Sequence, residues 1–332
     1  MKILIVDNSV IPVNLYGGTE RVIWALGKEL TDLGHSVTYL VKKGSSCDFA
    51  SVIPIDDDIP LLKQIPADTE VVHFNFFPEN LEDLNVPYII TMHGNVNNEF
   101  VFDKNTVFVS KNHAERYGSV SYVHKGLDWS QYSKPNVNRY SNSFHFLGRA
   151  AWGVKNLKGA IDIIKKVKQE NLNVLGGRRF SERVFKLGPT YMFSRKVNFR
   201  GMVGGVEKET YLNQSRGLIF PVLWHEPFGL AIIESLFYGC PVFGTPYGSL
   251  KEIVIPEAGF LSNKKDVIAE AIANDYHYNP RWCHEYAVEN FNSKIMALRY
   301  LEKYDTVLKG KTLNETNPQL KVIQKERYLP FD

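Results

Sequence analysis

The chain has 332 residues, 44% of them hydrophobic and 23% charged, with a net charge of +3. That balance excludes a disordered or fibrous chain, and no run approaches the roughly 18 apolar residues of a membrane span, so a cytoplasmic protein with two domains is expected. Cys47, Cys240 and Cys283 have neither disulfide nor metal-ligand spacing and read as reduced thiols.

Charge is uneven along the chain. Residues 1–141 carry 12 Lys/Arg against 17 Asp/Glu, net −5, and residues 142–332 carry 27 against 19, net +8. A basic second half suits a diphosphate ligand, and it equally suits a solvated surface.

Ile3–Val6 forms the first strand. A polar loop leads to Tyr16-Gly17-Gly18-Thr19-Glu20-Arg21, after which Val22, Ile23, Leu26, Leu30 and Leu33 recur at helical spacing, Gly34 stops the helix and Val37–Val41 is the next strand. Adjacent glycines at a helix mouth let the backbone approach an anion, with Thr19 placed to cap; a lone Gly-Gly usually means only a turn. No G-x-G-x-x-G dinucleotide fingerprint follows either candidate first strand. Asp56-Asp57-Asp58, flanked by Pro54 and Pro60, has the oxygen ligands a divalent cation takes, but it reads as a solvated loop and no metal is expected.

Val71–Phe74 and Tyr88–Met92 read as buried strands, the second ending in His93-Gly94-Asn95. A polar residue at the C-terminal end of a parallel strand lies where open α/β sheets place their ligand crevice, which marks His93; His73 reads as a structural residue. Val107–Ser110 and Val120–His124 are the next expected strands, and residues 129–142 form a Ser-, Asn- and Pro-rich linker.

The second half opens with strand Phe144–Leu147, then Gly148-Arg149, Lys155, and a helix face of Leu157, Ile161, Ile164 and Val167. Arg149 and Lys155 converge at a strand-to-helix turn, one forked donor and one point charge for a diphosphate. Strand Gly217–Phe220 leads to a helix with Pro227 in its first turn, Gly239 just past its end and Pro241 beyond. On that helix Glu226 and Glu234 would lie roughly 12 Å apart along the axis and about 80° around it, a span fitting the two ends of a nucleotide-sugar. Phe228, Gly229 and Leu230 would offer first-turn N–H groups to hydroxyl or phosphate oxygens. The competing reading is two acids that merely suit a helix surface. Val242–Thr245 is a further strand, a long patterned segment beyond Pro280 is helical, and the stretch from Thr312 is polar and weakly patterned.

Taken together, these stretches resemble the retaining family 4 glycosyltransferases of GT-B fold. Pro221–Pro241, PVLWHEPFGLAIIESLFYGCP, is similar almost position for position to their glutamate signature. Y-G-G-T-E-R resembles their Gly-Gly loop, which lies across the cleft from the donor diphosphate, and T-x-H-G at His93 resembles their active-site histidine beside the donor sugar. G-R-A-A-W-G-V-K resembles the Arg and Lys element that holds the leaving diphosphate, while Val197–Val203 resembles the segment beside the base, implicating Gly201, Met202 and Val203. His124-Lys125 departs from the asparagine usual in their N-G-x-D segment, and Gly248–Val254 lacks a common second glycine.

The resemblance implies two Rossmann-like αβα domains facing a central cleft, 1–141 (with linker 129–142) and 143–285, with helices of 286–332 returning to the first. It implies a metal-independent, retaining transfer of a sugar from a nucleoside diphosphate-sugar, with a uridine nucleotide favoured, to an acceptor hydroxyl in polysaccharide, lipopolysaccharide or glycoconjugate synthesis, and no cofactor. The donor would bind mainly to the second domain: Glu234 on the ribose, Arg149 and Lys155 on the diphosphate, Glu226 and His93 on the sugar, with N–H groups near Gly17 and Gly18. A glycan, lipid-linked or small-molecule acceptor would meet residues 8–16, 42–66 and 94–105, with at most peripheral contact at the inner membrane face. The alternatives are a nucleotide-sugar epimerase of the same fold and a catalytically silent nucleotide or sugar binder.

Overall fold

The computed structural model describes residues 1–13, 17–139, 141, 143–180, 187–274 and 278–332; Tyr16 of the Gly-Gly loop, residues 14–16 of the proposed acceptor loop, and residues 140 and 142 of the expected linker lie outside them. Two compact units emerge: Met1–Val13, Gly17–Trp129 and Phe291–Gln324 form the first, and Ser130–Asn290 with Lys325–Asp332 form the second. The boundary thus falls at 129/130 rather than after 141, helix Pro280–Asn290 stays with the second unit, and the last eight residues belong to the second unit and not the first.

The first unit contains β1 (Lys2–Val6), β2 (Ser36–Val41), β3 (Ser51–Pro54), β4 (Val71–Phe74), β5 (Tyr88–Met92) and β6 (Thr106–Phe108), ordered β3-β2-β1-β4-β5-β6. The second contains β7 (Ser143–Leu147), β8 (Asn171–Leu175), β9 (Val197–Gly201), β10 (Gly217–Phe220), β11 (Val242–Gly244) and β12 (Gly259–Leu261), ordered β12-β11-β10-β7-β8-β9. Every pairing in both sheets is parallel. Parallel neighbours need crossover connections, and covering helices leave the strands buried on both faces, which is why they read as continuous apolar runs rather than alternating ones. In each sheet the chain begins in the middle and reverses direction of growth once, at β1/β4 and at β7/β10. Such a switch point opens a crevice at the carboxyl ends of the two strands.

Helix Gly18–Asp32 starts four residues before the first residue of its expected apolar face, Val22, with Gly17 and not Thr19 at the cap position. The expected strand Val120–His124 reduces to a single bridge between Tyr122 and Phe108, and Val120 is exposed. Conversely, β3 lies within residues 42–66, where no strand is expected, although the neighbouring acids Asp56, Asp57 and Asp58 are exposed as anticipated. The segment after Pro280 is two helices, Pro280–Asn290 and Ser293–Leu308, because the Asn292 side chain caps the second by accepting from Ile295 N at 2.8 Å. Helix Ser293–Leu308 packs on helix Gly18–Asp32 and on β5 in the first unit. Among the described residues no helix is long and apolar enough to cross a membrane.

Two core histidines tie strands to helices. His73 on β4 shares protons with Tyr304 Oη at 2.8 Å and Thr91 Oγ1 at 2.7 Å, and Thr91 reaches Tyr300 Oη at 3.0 Å, so four buried polar groups satisfy one another. His145 on β7 sits between Ser215 Oγ at 2.6 Å and Ser235 Oγ at 2.7 Å. Burial pushes His73, His113 and His145 each down to about 3, leaving them neutral in the folded chain. Their folded values lie below the unfolded one, so stability is fully present above about pH 6.5 and is lost as pH falls toward 3, by about 1.4 kcal/mol per pH unit for each histidine. Denaturant midpoints should therefore drop between about pH 7.5 and about pH 5; an unchanged midpoint would refute the neutral, buried assignment.

Candidate active site

At the switch point of the second unit, β7 ends at Leu147 and the chain turns through Gly148 and Arg149, keeping register with β8 through Gly148 N to Leu175 O (3.1 Å) and Ala150 N to Gly176 O (2.9 Å). A short turn, Gly153–Lys155, follows, and Asn156 in the left-handed region caps helix Leu157–Lys166 by accepting from Gly159 N at 2.9 Å. The Asn156 amide also donates to Pro221 O at 2.9 Å, at the exit of β10. Leu223 N donates to Val154 O at 2.8 Å, so the two loops leaving β7 and β10 are stitched together by backbone and side chain.

Within this frame Lys155 and Glu226 meet. Both are buried, at 8% and 6% exposure, and Lys155 Nζ lies 2.6 Å from Glu226 Oε2, to which Trp224 Nε1 also donates at 2.8 Å. The ammonium also lies 5.1 Å from the Phe220 ring centre and 5.2 Å from that of Trp224. Desolvating two charges is costly, and mutual attraction with added hydrogen bonds offsets that cost only in close geometry of this kind. Glu226 is further fixed through its main chain: it bridges Gly248, and its carbonyl accepts from Ser249 N at 2.9 Å. Gly248 has φ +66, and a Cβ there would stand 2.3 Å from Glu226 N and O, so only glycine lets the strands approach.

Those contacts overturn the helical placement of Glu226. The helix runs Leu230–Phe237, preceded by Gly229 at φ 84, and Glu226 and Pro227 stand outside it, Glu226 in its bridge to Gly248. The axial spacing of about 12 Å between the two acids therefore does not apply, since a helix must include both ends for its rise to measure their separation. Of the three expected amide donors, Leu230 lies in the first turn; Phe228 is 1% exposed and its carbonyl accepts from Ser249 Oγ at 2.7 Å. The other end follows the sequence: Gly239 N bonds Leu236 O and Cys240 N bonds Ser235 O, at 2.8 and 2.9 Å, closing the helix in a Schellman turn.

Glu234 lies in a different cluster from Glu226. It is 2% exposed, and its Oε1 takes Lys208 Nζ at 2.5 Å and Tyr132 Oη at 2.9 Å. Lys208 comes from helix Gly205–Asn213 and is itself buried, as is the adjacent Glu209, which accepts from Ser133 N at 2.9 Å. Arg149 is exposed, its guanidinium 5.8 Å from the Trp152 ring centre. Lys158, close to Lys155 in sequence, instead pairs with Asp162 one turn along on the helix exterior. Gly201 spends its backbone on the neighbouring strand, donating to Gly177 O and accepting from Gly176 N; Met202 after it is exposed and Val203 half-buried.

In the first unit, the β1/β4 switch point holds Asn75, whose Nδ2 donates to Val6 O at 3.2 Å. That orientation leaves Oδ1 to accept from His93 Nε2 at 2.9 Å, which places the proton on Nε2 and makes Nδ1 a bare acceptor. Nδ1 is buried without a hydrogen bond among the described residues. Burial, and then the Lys125 charge, hold the His93 ring well below its ordinary value and hence neutral. Gly17 and Gly18 lie at the start of helix Gly18–Asp32 in the same unit.

Residues 130–278 match the family described as Glycosyl transferases group 1. That match lies within the second unit. Solved structures of low identity extend the likeness to the whole chain. It is similar to AviGT4, a glycosyltransferase involved in avilamycin A biosynthesis, at 21% identity and TM-score 0.76 over 94% of this chain and 99% of that one. Sucrose-phosphate synthase from Thermosynechococcus elongatus matches at 18% identity and TM-score 0.73, over 93% and 100%. The Anabaena protein HepE, solved in complex with UDP and glucose, matches at 16% identity and TM-score 0.67, over 92% and 100%. With two parallel six-stranded sheets in one chain, these likenesses establish the GT-B fold.

The second unit contains partners that the sequence pattern does not mark as site residues. Asn156, directly before an apolar run, carried a legible capping signal. Trp224 lay within the quoted signature, but nothing local links Lys208 and Tyr132 to Glu234, 26 and 102 residues away. Lys208→Met should lower the stability of the second unit by about 3–5 kcal/mol by leaving Glu234 without its cation, and adding Glu234→Leu should recover most of that loss. A double-variant loss equal to the sum of the losses of Lys208→Met and Glu234→Leu alone in denaturant titrations would show that the pair is not coupled.

Proposed function

We propose that the protein is a retaining glycosyltransferase that moves a sugar from a nucleoside diphosphate-sugar, with UDP as carrier, to an acceptor hydroxyl, without a metal. The observation that carries this reading is the Lys155–Glu226 pair at the switch point of the group 1 domain, with the exposed Arg149 leaving the same strand end. HepE, a GT-B neighbour, has been solved with UDP-glucose, which supports the choice of carrier; starch synthase IV, solved with ADP, makes ADP the comparison to test.

Cleaving the glycosidic bond builds negative charge on the β-phosphate and positive charge on the sugar. Lys155 has three N–H donors and gives one to Glu226, so it can meet a phosphate oxygen while keeping its pair. Arg149 adds a forked guanidinium, and the two cations supply what a divalent ion supplies elsewhere. Glu226 takes sugar hydroxyls and faces the developing oxocarbenium character. Glu234, held by Lys208 and Tyr132, is assigned to the ribose. On the first unit, the bare His93 Nδ1 accepts from a hydroxyl, and amide groups at Gly17 and Gly18 suit an anion. Retention follows if the acceptor attacks the face the leaving group vacates, with the departing phosphate taking the acceptor proton. The same chemistry fits polysaccharide or glycoconjugate synthesis.

Calorimetric titration with UDP, ADP, GDP and dTDP in the presence of a chelator tests the donor site. UDP should bind, and Arg149→Ala, an exposed position with little structural cost, should weaken it roughly 10- to 100-fold through loss of a charge-assisted bidentate contact. Glu226→Gln keeps shape and should lower turnover more than nucleotide affinity. Binding of no nucleotide, or unchanged affinity in Arg149→Ala, would refute the site; a product of inverted anomeric configuration would refute retention.

A further inference from the structure

The stretch after Gln324 has no apolar pattern, yet it is firmly seated on the second unit. Leu329 N donates to Leu223 O at 2.8 Å, Tyr247 Oη donates to Pro330 O at 2.6 Å, and Asp332 exchanges backbone hydrogen bonds with the segment before helix Lys265–Ala273, giving N–H to Asn263 O at 3.0 Å and accepting from Lys265 N at 2.7 Å. Phe331 packs on the domain core and lies against Gly159 at the start of helix Leu157–Lys166, where a Cβ would come within 2.7 Å of its ring. Tyr328, Leu329 and Phe331, with Asn156 and Leu223, line a cavity of about 270 Å³.

Three of these four anchors, all but that of Asp332, fall on elements that fix the Lys155–Glu226 pair. Leu223 is bonded on one side to Val154, next to Lys155, and on the other to Leu329, so its backbone is the middle of a three-part rung; Trp224 follows it directly and Glu226 three residues on. Tyr247 precedes Gly248, the residue that bridges Glu226, and its ring meets that of His225 at 6.4 Å. Phe331 stands where Asn156 caps its helix immediately after Lys155. None of these tail residues is itself in contact with the ion pair, so any effect they have passes through the loops.

We propose that residues 328–332 act as a strap whose function is to position the Lys155–Glu226 pair for the donor diphosphate and sugar, with Leu329, Phe331 and Tyr247 as positioning residues. An isolated surface loop with an exposed edge rearranges easily, whereas one hydrogen-bonded on both edges is held near a single geometry. The strap supplies the second edge to Pro221–Glu226. This inference rests on the donor-site reading for its effect on catalysis, while its structural half stands without it.

Three variants separate the contributions: a chain ending at Arg327, Leu329→Pro, which removes the N–H that Leu223 O accepts, and Phe331→Leu, which conserves the apolar contact. Hydrogen exchange of the peptides covering residues 150–159 and 221–228, and UDP titration, are compared with the wild type. The truncation and Leu329→Pro should speed exchange in both segments, with the rest of the unit unchanged, and weaken UDP binding by about tenfold or more. Phe331→Leu should stay within about threefold. Wild-type binding with no loss of affinity in either disruptive variant overturns the positioning role. If no form binds nucleotide, the donor-site reading fails, and exchange alone decides: acceleration confined to the two loops supports the strap, and unchanged exchange overturns it.

Discussion

Parallel strand pairing is the constraint from which the rest of this protein follows. A parallel neighbour cannot be reached by a tight turn, so the chain must cross a face of the sheet between strands and all strands end on the same edge. Two sheets built this way each reverse once, and the residues leaving the reversing strands are the ones left without a strand to cover them. Asn75, Arg149 and the loop after Phe220 are all in that position. Polar chemistry gathers at this edge because apolar runs occupy the strands themselves.

At the second switch point charge is handled by pairing rather than by solvent. Lys155–Glu226 and Lys208–Glu234 are both buried, and each carboxylate takes a second donor, Trp224 in one case and Tyr132 in the other. Buried pairs of this kind add little net stability compared with apolar packing of equal volume, and their value lies in where they hold the charged atoms. A cation held by one carboxylate is ready for a second anion without further loss of side-chain freedom. The two acids belong to separate clusters, so each can be tuned by its own lysine.

Most of the architecture was legible because it rests on local signals: strand runs, the helix of Leu157 to Lys166, and the glycine stop at Gly239 all fell where apolar period and backbone freedom put them. Errors arose where a distant contact overrode a local one. Pro227 suits a first helical turn, but the bridge from Glu226 to Gly248 holds that segment outside the helix, which starts later. Thr19 is a good cap by type, yet Gly17 takes the position. Val120–His124 has strand composition, but only Tyr122 finds a partner on β6. Lys208, Tyr132 and the seated tail were illegible for the same reason, since their partners lie far along the chain and carry no shared pattern. Of the site, the residue types were legible and their pairing was not.

The first unit is discontinuous, closed by helix Ser293–Leu308, whose Tyr300 and Tyr304 complete the hydrogen bonds of Thr91 and His73. Until that helix arrives, His73 and Thr91 in the middle of the first sheet have only each other, each short of one hydrogen-bond partner, and an apolar face has no cover. A ribosome therefore releases the second unit's main segment, residues 130–290, before the first unit can finish, although the first unit's strands were made earlier. The early strands of the first unit must therefore wait, exposed, while that whole intervening segment is made, and the last eight residues of the second unit follow only after the first has closed.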